Sequence, residues 1–228
     1  DWDYWIVKID AFGNIQWQNT LGGNDNDQLS TLQQTIDGGY ILGGSSLSGI
    51  SGDKTEVGYG GWDYWIVKID STGSIQWQNS MGGSDYDYLR SIQQTSDGGF
   101  ILGGYSASNI SVDKAENCLG VFDYWIVKID SLGNIQWENT IGGNGNDVLS
   151  SIQQTTEGGF VVGGYSDSNI SDDKIEACLG FHDFWIVKTD ASGVVQWQNT
   201  IGGNLSDYMN AILQTGDGGY ILSGTSLS

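Results

Sequence analysis

Residues 63–70, Asp-Tyr-Trp-Ile-Val-Lys-Ile-Asp, decide the fold of this chain because they are repeated along it. The same eight residues stand at 3–10 and 123–130, and a fourth copy with two substitutions occupies 183–190. The period is 60 residues throughout. A fixed period of this length indicates one structural unit whose apolar faces are buried by stacking against its neighbours.

Each repeat contains four short segments in which apolar and polar residues alternate. Alternation of this kind is typical of β-strands, and the segments are separated by turn sequences such as Asp-Ser-Thr-Gly at 70–73 and Ser-Asp-Gly-Gly at 96–99. The pattern predicts a four-stranded antiparallel meander per repeat. In the second repeat the predicted strands are residues 64–69, 75–78, 89–95 and 100–105.

Composition supports an all-β protein. The 228 residues include 36 Gly, no Pro, 10 Trp and 11 Tyr, a mixture that suits pleated strands. The formal charge of −20 would repel nucleic acid and anionic membrane surfaces, so nucleic acid is excluded as a partner. The acidity is compatible with calcium or with neutral partners such as glycans. No apolar run approaches the roughly 18 residues of a membrane span, so membrane insertion is not expected.

Four strands in each of four repeats predict the blades of a β-propeller. The repeat strings also resemble the propeller-type repeats of large secreted and surface proteins of Bacteroidetes, and they are distantly similar to quinoprotein-type propeller repeats. The strings that carry the resemblance are 123–130, 133–137, 151–155 and 158–160. The resemblance implies an extracellular or cell-surface location, and the quinoprotein analogy implies that the strand near Ile92 is innermost in its blade.

If the strand near Ile92 is the first of its blade, the chain starts with the third and fourth strands of a blade and ends with the first and second. We therefore predict a single propeller domain, 1–228, with one composite blade that closes a four-bladed ring. Alternatively the two ends pair with another copy, which would build an eight-bladed ring or an open chain of subunits. The expected blades are about 28–80, 88–140, 148–200, and 207–228 plus 2–20.

The connections that leave one end of each blade are the candidate binding surface. The Gly-Gly connectors such as 22–27 and the long loops such as 46–61 should share this loop face, while the short turns lie opposite. Carboxylates of the first two connectors are candidate calcium ligands because calcium prefers several oxygen donors. The alternative is that the last Asp of each connector caps its turn. The candidate metal ligands are Asp25, Asp27, Asp85 and Asp87.

An aromatic position recurs just before each copy of the Asp that opens the 63–70 stretch. Planar side chains there could stack on sugar rings, or they could pack between neighbouring blades. The candidate ligand-binding residues are Trp2, Trp62, Phe122 and His182. The tryptophans within the strands are instead expected in the core, and they are Trp5, Trp65, Trp125, Trp185, Trp17, Trp77, Trp137 and Trp197.

An enzyme needs one asymmetric set of reactive groups, and repetition does not supply it. His182 is the only histidine, and the sequence places no supported Ser or Cys nucleophile beside it. No catalytic residues are assigned, and no cofactor is expected unless calcium binds. We expect a secreted, non-enzymatic recognition or adhesion module for a glycan or a surface protein. The alternative is a structural or assembly unit of a surface layer, stalk or filament, for which self-association would be needed.

Two further features of the long loops recur. Lys54 lies between two carboxylates, as do its equivalents Lys114 and Lys174, and a loop-stabilising ion pair is the expected role. Cys118 and Cys178 occupy the same phase of adjacent repeats. Symmetric placement puts them too far apart for a disulfide bond, which leaves free thiols or links to another chain.

Overall fold

A computed structural model describes residues 1–227, and every regular element in this range is a β-strand. The strands are β1 Tyr4–Ile9, β2 Ile15–Leu21, β3 Asp27–Gln34, β4 Tyr40–Ser46, β5 Asp63–Ile69, β6 Ile75–Met81, β7 Asp87–Gln94, β8 Phe100–Ser106, β9 Asp123–Ile129, β10 Ile135–Ile141, β11 Asp147–Gln154, β12 Phe160–Ser166, β13 Asp183–Thr189, β14 Val195–Ile201, β15 Asp207–Gln214 and β16 Tyr220–Ser226. Residues 1–227 contain no helix that is long and apolar enough to cross a membrane.

Three complete blade-like sheets follow one another along the chain. Their strand orders are β3-β4-β5-β6, β7-β8-β9-β10 and β11-β12-β13-β14, and every neighbouring pair is antiparallel. The predicted meander is therefore confirmed. Each innermost and second strand is joined by an Asp-Gly-Gly or Glu-Gly-Gly turn whose first Gly has a positive φ, for example 84° at Gly38, a conformation that glycine adopts without strain.

The sheets are joined face to face by the same contacts at each junction. Tyr64 packs its ring 4.6 Å from that of Trp125 in the next sheet and donates its hydroxyl to the Trp125 carbonyl at 3.1 Å. At the outer strands, Asn79 Nδ2 donates to the carbonyl of Gly133 at 2.8 Å. Buried side chains of both sheets form one apolar cluster at each such junction. The repeated sequence thus builds a repeated interface.

The two ends of the chain form separate two-stranded sheets, β1-β2 and β15-β16. The composite blade expected from residues 207–228 and 2–20 is not confirmed, because the pairings within residues 1–227 do not join β16 to β1. Position 228 lies outside the described residues. The structure is an all-β array of blade-like sheets, and closure into a ring is not confirmed.

Two of the eight tryptophans expected in the core, Trp5 and Trp197, are exposed instead. Trp65, Trp125 and Trp185 are fully buried, whereas the equivalent Trp5 is 66 % exposed. Each buried ring is covered by the aromatic residue of the preceding sheet, as Tyr4 covers Trp65. Trp5 has no preceding sheet packed on it, so the expectation that it is buried is wrong. The outer-strand set is half-buried for Trp17, Trp77 and Trp137 and more exposed for Trp197.

Candidate functional site

The Gly-Gly connectors and the long loops lie on one face, as the sequence predicts. The amide of Asn24 donates to Ser51 Oγ at 2.9 Å, and the amide of Asp53 donates to the carbonyl of Gly22 at 2.8 Å. The equivalent amide of Asn144 donates to Ser171 Oγ at 2.9 Å. The long loops are therefore held to the connectors that precede β3, β7 and β11.

A cavity of about 660 Å³ is lined by residues of β3, β7, β11 and β15, the first strands of their sheets, and it is called the axial cavity below. Each of the four strands contributes the residue that occupies the same position in its 60-residue repeat. In every innermost strand the pairing register shifts at this phase, which marks a β-bulge. A bulge changes the direction of a side chain and is frequent beside binding sites. The four bulge residues are Ser30, Arg90, Ser150 and Asn210.

The bulge position is where the repeats differ chemically. Its side chains are two hydroxyls, one amide and the only arginine of the chain, so the axial cavity is asymmetric although the strands around it repeat. Arg90 Nη2 donates to the hydroxyl of Tyr105 at 2.8 Å, and the guanidinium carbon lies 5.3 Å from the centre of that ring. These contacts fix the arginine at the cavity wall. These four residues were not among the candidate site residues predicted from the sequence.

Aromatic and amide groups complete the wall of the axial cavity. Trp2, which is 63 % exposed, lines it together with Gln28 and Tyr165. Burial raises the pKa of Tyr165, and the neighbouring Tyr105 and Tyr208 raise it further. The Tyr165 phenol therefore remains protonated near neutral pH and can donate a hydrogen bond. Aromatic faces beside hydroxyl and amide groups are suited to a polyhydroxylated ligand.

The recurring aromatic position does not form one continuous platform. Trp2 lines the axial cavity, while the other three are half-buried against tyrosines of the loop face. The ring of Trp62 lies 6.0 Å from Tyr88, that of Phe122 5.3 Å from Tyr105, and that of His182 5.1 Å from Tyr208. The structure thus brings one predicted ligand-binding residue, Trp2, into the cavity and packs the others at blade junctions.

Polar groups of three residues surround His182. Its Nδ1 lies 3.3 Å from both Ser206 Oγ and Tyr208 Oη, and its Nε2 lies 3.7 Å from Asp167 Oδ2. Ser206 is only 9 % exposed, and the Tyr208 hydroxyl lies against the same His182 nitrogen, Nδ1. The arrangement bridges two blades through a polar network.

The predicted calcium ligands separate into two buried and two exposed carboxylates. Asp27 Oδ2 accepts hydrogen bonds from the Gly23 amide at 2.8 Å and from Ser48 Oγ at 3.0 Å, so it caps the connector. Asp87 repeats these contacts, while Asp25 and Asp85 are exposed. Within residues 1–227, no three His, Cys, Asp or Glu side chains converge as metal ligands would. Calcium binding stays a prediction.

A second row of aspartates is buried where the third strand of each sheet begins. Asp63 is fully buried and its Oδ2 accepts the Tyr59 amide at 2.6 Å. Burial raises the pKa of Asp63 to about 7, and it raises the pKa of Asp147, in the capping row, to about 6. These carboxyls change protonation in the neutral range, so the charge of the loop face depends on pH.

The lysines and cysteines of the long loops have structural contacts. Lys54 is buried, and its ammonium donates to Ser80 Oγ at 3.2 Å and to the carbonyl of Glu56 at 2.9 Å. The expected ion pair is thus replaced by bonds to a hydroxyl and a backbone carbonyl. Cys118 and Cys178 are free, and Cys178 donates to the carbonyl of Ser166 at 3.0 Å. Burial raises the pKa of Cys118 to about 12, which keeps it as a thiol.

No family model matches the chain, and no curated protein matches it. Among the solved structures that match is a protein of unknown function from Bacteroides caccae, determined at 1.35 Å resolution. It is 10 % identical, the match covers 86 % of this chain and 74 % of that chain, and the TM-score is 0.30. The repeated four-stranded sheets are evident, whereas membership of the Bacteroidetes repeat family is not confirmed.

Proposed function

We propose that this protein is a non-enzymatic recognition module that acts at the cell surface or outside the cell and binds a glycan in the axial cavity. The observation that carries the proposal is the set of four bulge residues of three chemical types, Ser30, Arg90, Ser150 and Asn210, around one cavity of about 660 Å³. Small-ligand sites have volumes of roughly 300–1,000 Å³ and a few convergent polar groups. A propeller arrangement of the blades about one axis is part of the proposal.

The wall of the cavity suits a neutral or weakly charged sugar. Trp2 and Tyr165 offer aromatic surface, while Arg90, Gln28 and Asn210 offer hydrogen-bond donors for ring hydroxyls. The carboxylates of Asp3 and Asp27 also line the cavity, and the chain carries a net charge of −20. These charges disfavour strongly anionic polymers.

The extracellular location rests on the resemblance of the repeats to secreted and surface proteins. The non-enzymatic character is supported by the environment of His182, where the adjacent hydroxyl of Ser206 is nearly inaccessible. A surface protein instead of a glycan would be a partner for the exposed loops outside the cavity. The glycan is favoured because the polar groups converge inside the cavity.

The test is binding of the purified chain to a broad glycan array, in calcium and again with a chelator. We expect a family of related glycans to bind. The variants Arg90→Ser, which installs the residue found at positions 30 and 150, and Trp2→Ala should each weaken binding at least about tenfold, the equivalent of one lost hydrogen bond or stacking contact. Loss of wild-type binding with the chelator alone would place calcium in the site.

The matched control is Phe12→Ala, because Phe12 is 90 % exposed in a short turn on the opposite face. Its binding should equal that of the wild type. An array without any hit, or hits that survive both Arg90→Ser and Trp2→Ala, would refute recognition in the axial cavity. Binding to a cell-surface protein in the absence of glycan would move the site to the loops.

A further inference from the structure

The three complete sheets show how the strands at the chain ends would pair if a partner were present. In the first of them, β4 and β5 pair over seven residues, from Tyr40 opposite Ile69 to Ser46 opposite Asp63. The corresponding strands of the terminal sheets are β16 and β1. Neither makes this pairing within residues 1–227. Each terminal sheet is half of a blade and leaves one strand edge open.

The two open edges are complementary in sequence. Strand β1 reads Tyr-Trp-Ile-Val-Lys-Ile, identical to residues 64–69 of β5. Strand β16 reads Tyr-Ile-Leu-Ser-Gly-Thr-Ser, and β4 reads Tyr-Ile-Leu-Gly-Gly-Ser-Ser. By this template Tyr220 would lie opposite Ile9, and Thr225 would lie opposite Tyr4. The edge of β16 is therefore built for a strand of the β1 type.

Apolar side chains at both ends are exposed where their equivalents in the complete sheets are buried. Ile221 of β16 is 59 % exposed, whereas Ile41 of β4 is fully buried. Trp5 and Ile9 of β1 are exposed, and Ile69 of β5 is fully buried. Contiguous apolar surface beside an open strand edge marks an interaction site and favours strand addition.

The outer strand at the C-terminal end also has an unused junction contact. Asn79 and Asn139 donate to carbonyls of the short turn in the following sheet, at 2.8 Å in both cases. For Asn199 the equivalent acceptor would be the carbonyl of Gly13, in the turn between β1 and β2. Nothing lies within 4 Å of the position where a Cβ on Gly13 would be. The β1-β2 sheet carries the matching half of this junction.

Departures from the repeat at the C-terminal end make its surface more apolar. Phe184 stands where three repeats have Tyr, and Leu213 stands where three have Gln. This composition favours burial against protein.

We propose that the open edges are completed by a second copy of this chain, with β16 of one copy pairing antiparallel with β1 of the next. The contact is head-to-tail, so each copy carries one β16 edge and one β1 edge, and successive copies can extend an open chain of subunits. This self-association goes beyond the proposed function, because it uses the strand edges and needs no ligand in the axial cavity. Closure within one chain would use the same pairing, and the experiment distinguishes the two.

The experiment is sedimentation-velocity ultracentrifugation of the wild-type chain over a concentration series. We expect dimers or larger assemblies that grow with concentration. In Ile221→Lys the new charge would be exposed in the separate chain but buried and unpaired in the junction. The dissociation constant should rise at least about 100-fold, because an uncompensated buried charge costs several kcal/mol. Ile36→Lys is the control, since Ile36 is 94 % exposed in a short turn away from both edges.

A mixing arm tests the pairing of one edge with the other. Trp5→Lys should also abolish assembly, because Trp5 lies on the opposite edge. Each single variant keeps one intact edge, so a mixture of the Trp5→Lys and Ile221→Lys chains should form 1:1 dimers that neither forms alone. A wild-type chain that stays monomeric at every concentration would overturn the proposal, as would assembly that both variants retain.

Discussion

At the scale of single residues, the buried aspartates make stability depend on pH. The folded-state pKa of Asp63 is raised by burial to about 7, while an unfolded carboxyl titrates near its ordinary value of about 3.9. The folded state therefore holds the proton more tightly than the unfolded state between these values. This stabilisation is fully present on the acid side and is lost as the pH rises through about 7.

We predict that the free energy of unfolding falls between pH 5 and pH 8. Urea denaturation followed by tryptophan fluorescence at a series of pH values measures it. The variant Asp63→Asn should flatten the dependence because it removes one of the titrating groups. A free energy of unfolding that rises over this interval would contradict the assignment.

The loss of folding stability at low pH arises from a different aspartate. Hydrogen bonds from Thr35 and Lys68 lower the pKa of Asp37 to about 2, and the Lys68 ammonium lies 2.9 Å from it. This depressed pKa contributes stability that is present above about pH 4 and lost as the pH falls toward 2. Together the two classes of carboxyl give a stability maximum at mildly acidic pH.

The hydroxyl of Tyr64 provides a second test at this scale. It donates to the Trp125 carbonyl at 3.1 Å from a fully buried position, so Tyr64→Phe leaves a carbonyl without its partner. We expect a loss of about 1–2 kcal/mol in the free energy of unfolding, measured by urea denaturation.

The chain contains its own control for the Tyr64 variant. Phe184 occupies the same position of the repeat and packs against the following β15-β16 sheet, but within residues 1–227 that sheet has no third strand whose carbonyl could accept a hydroxyl. Phe184→Tyr should therefore leave the stability of the separate chain unchanged. If Tyr64→Phe and Phe184→Tyr changed the free energy of unfolding equally, the Tyr64 hydroxyl would not stabilise the protein through its hydrogen bond at the junction.

At the scale of strands and turns, most of the architecture could be predicted from the sequence. Alternation and turn residues gave the four strands of each repeat, because both depend on neighbouring residues alone. The β-bulges at Arg90 and its equivalents were missed, since one extra residue hardly disturbs a short alternating pattern. The signal that could have found them is chemical variation at one phase, Ser, Arg, Ser and Asn, within otherwise constant strands.

The short turns offer a matched pair of glycine substitutions. Gly13 and Gly73 have positive φ values of 85° and 89°, and alanine at either position costs about 1 kcal/mol from backbone strain. At Gly13 the added Cβ would meet nothing, whereas at Gly73 it would lie 2.7 Å from Asn19 Nδ2. Asn19 donates to the Gly73 carbonyl, so this junction bond would be strained as well.

We therefore expect Gly73→Ala to reduce the free energy of unfolding roughly twice as much as Gly13→Ala, by about 2 kcal/mol against about 1 kcal/mol. Thermal or urea denaturation of the two variants at low protein concentration measures the difference. Equal losses would mean that the outer-strand contacts between sheets do not contribute to stability.

At the scale of the whole molecule, the sequence could not decide whether the ring closes. Closure depends on the angle that each junction adds, and this angle is not contained in any local pattern. The exposure of Trp5 is the visible consequence, because its burial needs a preceding sheet. The axial cavity was likewise beyond local reasoning, since it joins Ser30, Arg90, Ser150 and Asn210 from strands that are 60 residues apart.

The most direct test of the account is hydrogen exchange with and without the glycan that the array selects. Recognition in the axial cavity predicts slower amide exchange around the bulges of β3, β7, β11 and β15 together, with little change in the short turns opposite. Protection confined to the long loops, or no protection at the four bulges, would contradict the proposal that the four bulge residues form the binding site.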